Sequence, residues 1–285
     1  MTHPTRSSRF SLLLAASLCA ALPAAADADT LVLTAVADAT LIESVDTTQY
    51  ALGAAYNIYC GRVGTNGSGM LRRALLRFDL SAIPAGSTVT SASLKVYMSQ
   101  TNTTTQATTL HRMLQSWGEG ASFAFGGAGT SPEPGDATWS NRFYPGQPWT
   151  TPGGTFVETA TQTKSIGSAG AYVFASNASM VADVQSWIAS PATNFGWVMR
   201  GNETTLGTAK RFESRESGDP TRRPLLTVVY TPPPPVGDLN GDGKVNGADI
   251  GLLLGGWGAA GASDLDASGV TDGADLAILL ANWRP

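Results

Sequence analysis

The amino-acid sequence predicts an all-β main domain of the jelly-roll or β-sandwich class, followed by a small all-α module of two loop–helix repeats. Three observations lead to this prediction: segments in which apolar and polar residues alternate, a run of four prolines, and two related stretches 26 residues apart. The 285 residues are 42% apolar and 14% charged. Because disorder requires few apolar and many charged residues, this composition argues for a folded chain.

The N-terminal segment has the pattern of a secretory signal peptide. Arg6 and Arg9 precede an apolar stretch over residues 10–22, and small residues follow up to Ala26. We therefore expect residues 1–26 to be removed and the mature protein to be secreted or associated with a cell surface. Beyond this segment no apolar run reaches the roughly 18 residues of a membrane span. The net charge of −4 argues against a nucleic-acid partner.

The mature chain from residue 27 shows period-two alternation at 74–80 and 92–98 and a short β-branched run at 225–230, which predict half-buried strands. One stretch is helical in pattern: Val181, Val184 and Ile188 follow the cap candidates Ser176 and Asn177 and end before Pro191. Many short strands and one helix in about 200 residues are typical of a sandwich. Cys60, the one cysteine beyond the signal, is expected to be a buried apolar residue.

A proline run divides the mature chain into two parts. Pro232 to Pro235 form a stiff, extended spacer that neither a helix nor a central strand accepts. Beyond it, Lys244 and Arg284 stand against seven aspartates, whereas residues 27–231 are almost neutral. We therefore predict a main domain at 27–231, a linker at 232–237 and a C-terminal domain at 238–285.

The C-terminal domain carries two copies of a calcium loop. Each copy places oxygen-bearing side chains at loop positions 1, 3, 5, 9 and 12, puts glycine at position 6, and offers a backbone carbonyl at position 7. This is the cage that Ca²⁺ prefers, and Mg²⁺ would require stricter octahedral geometry. The predicted ligands of the two sites are Asp238, Asn240, Asp242, Lys244, Asn246 and Asp249, then Asp264, Asp266, Ser268, Val270, Asp272 and Asp275.

Each loop leads into a short predicted helix whose apolar residues recur at i, i+3, i+4 and i+7, so that the two helices can bury these faces against each other. Those residues are Ile250, Leu253, Leu254 and Trp257, then Leu276, Leu279, Leu280 and Trp283. With their two ligand loops, these residues resemble a type I dockerin. The resemblance implies calcium binding and a cohesin-like protein partner. Gly247-Ala248 and Gly273-Ala274 replace the usual Ser/Thr contacts, so a simple calcium-stabilised attachment module is an equal alternative.

A second resemblance extends along the main domain. Its segments are ALLRFDLSAIPAG at 74–86, SASLKVY at 91–97, WGE at 117–119, ATWSN at 137–141, VQSW at 184–187, NFGW at 194–197, FESRE at 212–216 and RPLLTV at 223–228. In this order and spacing they resemble the DNRLRE-type domain of secreted proteins, which is related to alginate-binding carbohydrate modules. The resemblance implies a β-sandwich that binds a polysaccharide and acts beside enzymes carried by other chains.

Aromatic and basic side chains are the candidate glycan contacts. Aromatic rings stack on the CH faces of sugars, and an arginine can pair bidentately with the carboxylate of an acidic polysaccharide. The candidates are Trp139, Tyr144, Trp149, Arg77, Arg200, Lys210, Arg211 and Arg215. The alternatives are a structural role for Trp139 and Trp149 in the core, and Arg–Glu pairing on a solvated face.

Two other functions compete with glycan binding. A structural cell-surface or assembly protein would have the same domains but no glycan ligand. An enzyme is less favoured, because no spacing singles out a carboxylate pair and His111 is the one histidine of the mature chain. A polysaccharide lyase using tyrosine and arginine is the enzymatic alternative that stays open. Asp38 and Glu216 are candidate ligands for an additional Ca²⁺ in the sandwich.

Overall fold

The computed structural model of the protein describes residues 27–46 and 48–284. The described chain forms two units, the main unit at residues 27–233 and the C-terminal unit at residues 234–284. The predicted signal peptide, residues 1–26, lies outside the described residues. Among the helices described, none has the length and apolar character needed to cross a membrane.

Strands dominate the main unit. Its one α-helix in the described residues is α1 (Ala178–Ala189), and its strands are β1 (Asp29–Ile42), β2 (Asn57–Arg62), β3 (Leu71–Phe78), β4 (Thr88–Thr101), β5 (Gln106–Arg112), β6 (Asn141–Phe143), β7 (Gln147–Pro148), β8 (Gln162–Ile166), β9 (Gly170–Phe174), β10 (Trp197–Arg200), β11 (Lys210–Glu213) and β12 (Leu225–Thr231). Helix α1 begins at the predicted cap, where the Asn177 side chain accepts a hydrogen bond from the Met180 amide.

The strands form two antiparallel layers. In the first layer, β4 pairs with β9, β12 and β11, and β11 pairs in turn with β2. In the second layer, the order is β3, β10, β5 and β8. Strand β1 belongs to both layers, because a register shift between Ala35 and Ala37 separates its pairing with β12 from its pairing with β3. The main unit is therefore β-sandwich-like, as the alternating pattern predicted.

The main core lies between the two layers. Ala74, Leu76 and Phe78 of β3 point into it, as the period-two pattern predicted, and Leu94 and Val96 of β4 are also in it. Helix α1 packs on β4 and adds Met180, Val184, Trp187 and Ile188 to the same cluster. The rings of Trp187 and Trp197 meet edge to face with centroids 4.6 Å apart.

A second core covers the other side of β3 and β10. Leu75 and Val198, which point away from the main core, pack with Trp117 and Trp149 from the long segment between β5 and β8. The alternating pattern predicted a half-buried strand here, but Leu75, on the face opposite Ala74 and Leu76, is buried as well. The Gly- and Pro-rich segment that follows β5 folds over the sheet and buries this face as well.

Two nine-residue helices, α2 (Gly247–Gly255) and α3 (Gly273–Ala281), form the C-terminal unit with the two loops. Its core consists of Val245, Leu253 and Leu279. The prediction that all four apolar positions of each helix are buried holds only in part. Ile250 and Leu276 pack against this core, but the later positions are exposed: Leu254 by 53%, Trp257 by 50%, Leu280 by 50% and Trp283 by 42%.

Candidate functional site

A row of polar side chains crosses the outer face of the first layer. Arg211 of β11 lies directly opposite Tyr59 of β2 on one side and Gln100 of β4 on the other. Because directly paired residues point to the same face of a sheet, the three side chains form one row. Their strand neighbours Cys60 and Phe212 point into the main core, which explains why the row faces outward.

This row lines a cleft of about 680 Å³. Residues 42–46 and the glycine-rich loop 126–129 contribute to its walls, and Tyr50 adds a second aromatic ring. Arg72, only 5% exposed, holds the loop because its Nε donates to the Gly127 carbonyl at 2.8 Å. Gly127 lies so close to Tyr59 that an added Cβ would be 3.1 Å from its ring, so a larger residue there would require the ring to shift slightly.

Arg211 is the cation in the outward-facing row of the cleft. Its Nε donates to the Ser99 hydroxyl at 3.0 Å, and no carboxylate of the described residues lies within ion-pairing distance of it. Burial raises the pKa of Tyr59, and the charge of the nearby Arg211 opposes this shift. Tyr59 is therefore a neutral hydroxyl beside a free positive charge at physiological pH.

Lys210, also among the predicted contacts, touches the same cleft but is 2% exposed. Its Nζ donates to the Thr101 hydroxyl at 3.1 Å and to the Thr104 carbonyl at 3.2 Å. Burial lowers the pKa of Lys210. Since period-two alternation turns Lys210 inward when Arg211 faces outward, Lys210 stabilises the cleft rather than presenting a free ammonium group.

The three predicted aromatic contacts lie outside this cleft. Trp149 is 4% exposed and its indole N–H donates to the Thr138 carbonyl at 2.9 Å, so its ring is not available for stacking. Trp139 is half-buried, with the Arg73 guanidinium 4.8 Å from its ring centroid. Tyr144 is half-buried, and its backbone pairs with the 135–136 turn. Trp149 therefore has the core role that the sequence left open as the alternative.

Arg200 belongs to an ion-pair network. Glu203 accepts hydrogen bonds from Arg73 Nε at 2.8 Å and from Arg200 Nη2 at 2.7 Å. Burial alone would raise the pKa of Glu203, but these two hydrogen bonds and the charges of both arginines lower it to about 2. Both guanidinium groups also lie over the ring of Phe156. Arg200 is therefore paired with a glutamate, which was the alternative to glycan contact in the sequence analysis.

Arg77 and Arg215, the two remaining predicted contacts, differ in their surroundings. Arg77 is half-buried and lies 5.5 Å from the centroid of the Trp117 ring. Arg215 pairs with Glu119 through Nε at 2.5 Å and Nη2 at 2.7 Å, a bidentate arrangement. Among the described residues no carboxylate lies within ion-pairing distance of Arg77, whereas Arg215 is already paired with Glu119.

Two more carboxylates lie beside Arg215. Asp38, 0% exposed, accepts from the Arg215 amide through Oδ2, and Glu216 lies 2.8 Å from Arg215 Nε. Burial and the neighbouring Glu216 charge raise the pKa of Asp38 well above its usual range. Burial likewise raises the pKa of Glu216, and Glu119 adds to this effect while Arg215 opposes it. The sequence had named Asp38 and Glu216 as calcium candidates but had not connected Glu119 with them.

Three potentially reactive side chains of the main unit, those of Asp136, His111 and Cys60, have structural surroundings. Asp136 is 0% exposed and accepts hydrogen bonds from the Ser122 hydroxyl and the Glu133 amide. His111 contacts the Val157 carbonyl through Nδ1 and the Thr109 hydroxyl through Nε2, both at 2.9 Å, and burial lowers its pKa. Cys60 is 0% exposed, as predicted, and burial raises the pKa of its thiol.

The two C-terminal loops have matching internal hydrogen bonds. The first aspartate of each loop accepts from the amide at position 6, in both cases at 2.8 Å: Asp238 from Gly243, and Asp264 from Gly269. The aspartate at position 12 accepts from the amide at position 2, so that Asp249 and Asp275 close their loops and cap α2 and α3. The repeated sequence therefore folds into repeated geometry.

The donor set of these loops fits a hard divalent cation. Asp264, Asp266 and Asp275 each bring a carboxylate oxygen to within 4.8 Å of the others. In the first loop, Asp238 and Asp249 hold the positions of Asp264 and Asp275, and Asn240 takes the place of Asp266. Asp242 adds a carboxylate where the second loop has Ser268. All side-chain donors are oxygen atoms, which Ca²⁺ and Mg²⁺ prefer over other cations.

Sequence reasoning missed Tyr50, Tyr59 and Gln100 as members of the cleft. Tyr59 stands in the pattern Ile58-Tyr59-Cys60, in which its apolar neighbours point inward. That alternation could have placed Tyr59 on a solvated face. Its pairing with Arg211 could not have been found, because strands β2 and β11 are separated by about 150 residues.

In a comparison with known protein families, part of the main unit matches one family model. Residues 29–121 match the family model of carbohydrate-binding module family 96. The match begins at the first residue of β1, contains Tyr59 and Arg72 of the cleft, and ends two residues beyond Glu119. A search of curated proteins found no match. The family match supports a carbohydrate-binding module domain in the main unit, and points to binding rather than catalysis there.

Proposed function

We propose that the protein is a secreted, non-catalytic polysaccharide-binding protein whose glycan site is the cleft formed by Tyr59, Arg211 and Gln100. The observation that carries this proposal is the row itself, in which an aromatic ring, a free guanidinium group and an amide lie side by side on three paired strands. Such groups match the CH faces, carboxylates and hydroxyls of a sugar chain.

The free charge of Arg211 favours an acidic polysaccharide. A carboxylate that enters the cleft would gain a charge-assisted hydrogen bond worth about 1.5–3 kcal/mol. Neutral glycans would gain only ordinary hydrogen bonds and contacts with the tyrosine rings. We therefore expect uronate-containing polymers such as alginate or pectin to bind more tightly than xylan, cellulose or agarose.

Native affinity electrophoresis tests this proposal. The mature protein is run through gels containing each of these five polymers, and the same samples are assayed for unsaturated sugar products. We expect retardation in an acidic polymer without product formation. Retardation accompanied by product would favour the lyase alternative. The absence of retardation in all five gels would overturn the glycan proposal for these polymers and favour a structural assembly role.

We further propose that the C-terminal unit is a calcium-binding attachment module with two sites. The twelve predicted loop residues would hold two Ca²⁺ ions, which would neutralise the clustered aspartates and fix the loops. The exposed Leu254, Trp257, Leu280 and Trp283 offer apolar surface to a protein partner, for which a cohesin-like domain is the proposed candidate.

Calcium-dependent capture tests the attachment proposal. The full chain is passed over an immobilised type I cohesin domain with Ca²⁺ and again with EDTA, and Trp257→Ala serves as the surface variant. We expect binding in Ca²⁺ that EDTA abolishes and the variant weakens. Binding that is equal in Ca²⁺ and EDTA would contradict calcium-controlled docking. No binding in either buffer would exclude a type I cohesin as the partner.

A further inference from the structure

Three carboxylates from distant parts of the chain meet inside the main unit. Asp38 lies in β1, Glu119 follows β5, and Glu216 follows β11. Each offers a carboxylate oxygen within 4.8 Å of the other two. None of these three residues belongs to the C-terminal loops or to the row of Tyr59 and Arg211 in the cleft.

Several carboxylate oxygens of this cluster are buried without a hydrogen-bond partner. Asp38 is 0% exposed; its Oδ2 accepts from the Arg215 amide at 2.7 Å, but its Oδ1 has no hydrogen-bond partner. Both carboxylate oxygens of Glu216 are also buried without a hydrogen bond, although Oε1 lies 2.8 Å from Arg215 Nε. Asp38 Oδ1 and Glu216 Oε2 therefore have neither a hydrogen bond nor an ion pair. Because buried polar atoms are almost always paired, these two oxygens point to an additional group at this position.

The charges of the cluster do not balance by themselves. Arg215 forms its bidentate pair with Glu119, and its single positive charge cannot neutralise three carboxylates. Two negative charges are left over, and burying such charge without compensation is costly. One divalent cation would neutralise the cluster and supply a partner to Asp38 Oδ1 and Glu216.

We propose that Asp38, Glu119 and Glu216 bind one Ca²⁺ ion in the main unit, with Arg215 orienting Glu119. All donors are oxygen atoms, which favours a hard cation. Because the three carboxylates come from separate segments, they suit the flexible coordination of Ca²⁺ better than the strict octahedron of Mg²⁺. The ion would tie β1 to the segments that follow β5 and β11. This inference does not rest on glycan binding or on the C-terminal sites.

Calcium stoichiometry tests the site directly. Parent protein and Glu216→Gln are dialysed against excess Ca²⁺ and then against Ca²⁺-free buffer, and retained calcium per chain is measured by elemental mass spectrometry. Glu133→Gln, an exposed glutamate elsewhere in the same unit, is the matched control. We expect Glu216→Gln to retain one Ca²⁺ fewer than the parent and the control to retain the same number. Equal retention in the parent and Glu216→Gln would overturn the proposal.

A second variant distinguishes calcium bound in the main unit from calcium bound in the C-terminal loops. It also gives a result that does not depend on whether Glu216→Gln folds. Asp238→Asn combined with Asp264→Asn leaves the main unit unchanged and removes the first ligand of each loop. We expect this chain to retain one Ca²⁺ per molecule, with a dissociation constant that Asp38→Asn raises at least tenfold. If the loop variant retains none while its main unit stays folded by near-ultraviolet circular dichroism, the proposal is wrong.

Discussion

Replacing Glu203 by glutamine should destabilise the main unit strongly and in a pH-dependent way. Glu203 is 13% exposed and holds two arginines, Arg73 at 2.8 Å and Arg200 at 2.7 Å. The variant keeps the size of the side chain but removes the charge that both guanidinium groups face. Arg73, 9% exposed, would then be a buried cation without its carboxylate.

The magnitude follows from the pKa of Glu203. Its value of about 2 in the folded protein lies below the 4.5 of an unperturbed glutamate, and each pKa unit corresponds to about 1.4 kcal/mol. We therefore expect Glu203→Gln to lower the free energy of unfolding by roughly 3 kcal/mol at pH 7. For a unit of this size, that loss lowers Tm by roughly 6–12 °C.

Urea denaturation of the parent and the variant between pH 7 and pH 2 measures this effect. Because the folded pKa is depressed, the stabilisation by Glu203 is fully present above about 4.5 and is lost as the pH falls toward 2. The difference between parent and variant should therefore shrink over that interval. A difference below about 0.5 kcal/mol at pH 7, or one that does not change with pH, would refute the reasoning.

Glu158→Gln is the matched control. Glu158 contacts the same Arg200 at 3.8 Å, but its side chain is 85% exposed. Because water screens exposed pairs, the same substitution should change stability by less than about 0.5 kcal/mol. If the two variants lost equal stability, burial would not be the reason for the strength of the Glu203 network.

Three further predictions concern single residues of the main unit. Trp149→Ala should lower the free energy of unfolding by about 3–5 kcal/mol in urea denaturation. A loss of glycan affinity without that destabilisation would contradict the buried position of Trp149. Asn177→Ala should cost about 1 kcal/mol in thermal unfolding because it removes the cap of α1, and an unchanged stability would contradict the cap. Cys60 should react with a thiol reagent only after denaturation, since it is 0% exposed, and fast labelling of the folded protein would contradict this.

Local sequence patterns predicted those strands and helices in which one face is buried and the other is polar. Alternation at 74–80 and 92–98 located parts of β3 and β4, and the residues around Asn177 located α1. The second core was not predictable in the same way. Leu75 is buried there because a distant, irregular segment folds over the sheet, and period-two alternation carries no information about such a cover.

The candidate site shows the same division between local and long-range information. Arg211 was named from its residue type, as a cation for an acidic polysaccharide, and the structure places it in the cleft. Lys210 was named beside it, although adjacent strand residues point to opposite faces, and it is 2% exposed. The position of Tyr59 beside Arg211 depends on contacts between residues far apart in sequence, and so does the cluster of Asp38, Glu119 and Glu216. A single sequence does not reveal such contacts.

The most direct test of the proposed glycan site is the dissociation constant of an acidic oligosaccharide for Arg211→Gln, measured by calorimetry beside the parent. Arg222→Gln is the control, since Arg222 also lies beside a tyrosine ring, that of Tyr97, but is outside the cleft. Loss of one charge-assisted hydrogen bond predicts that Arg211→Gln weakens binding by about 10- to 100-fold while Arg222→Gln leaves it unchanged. Equal affinity of the parent and Arg211→Gln, or equal weakening by both variants, would contradict a glycan site at this cleft.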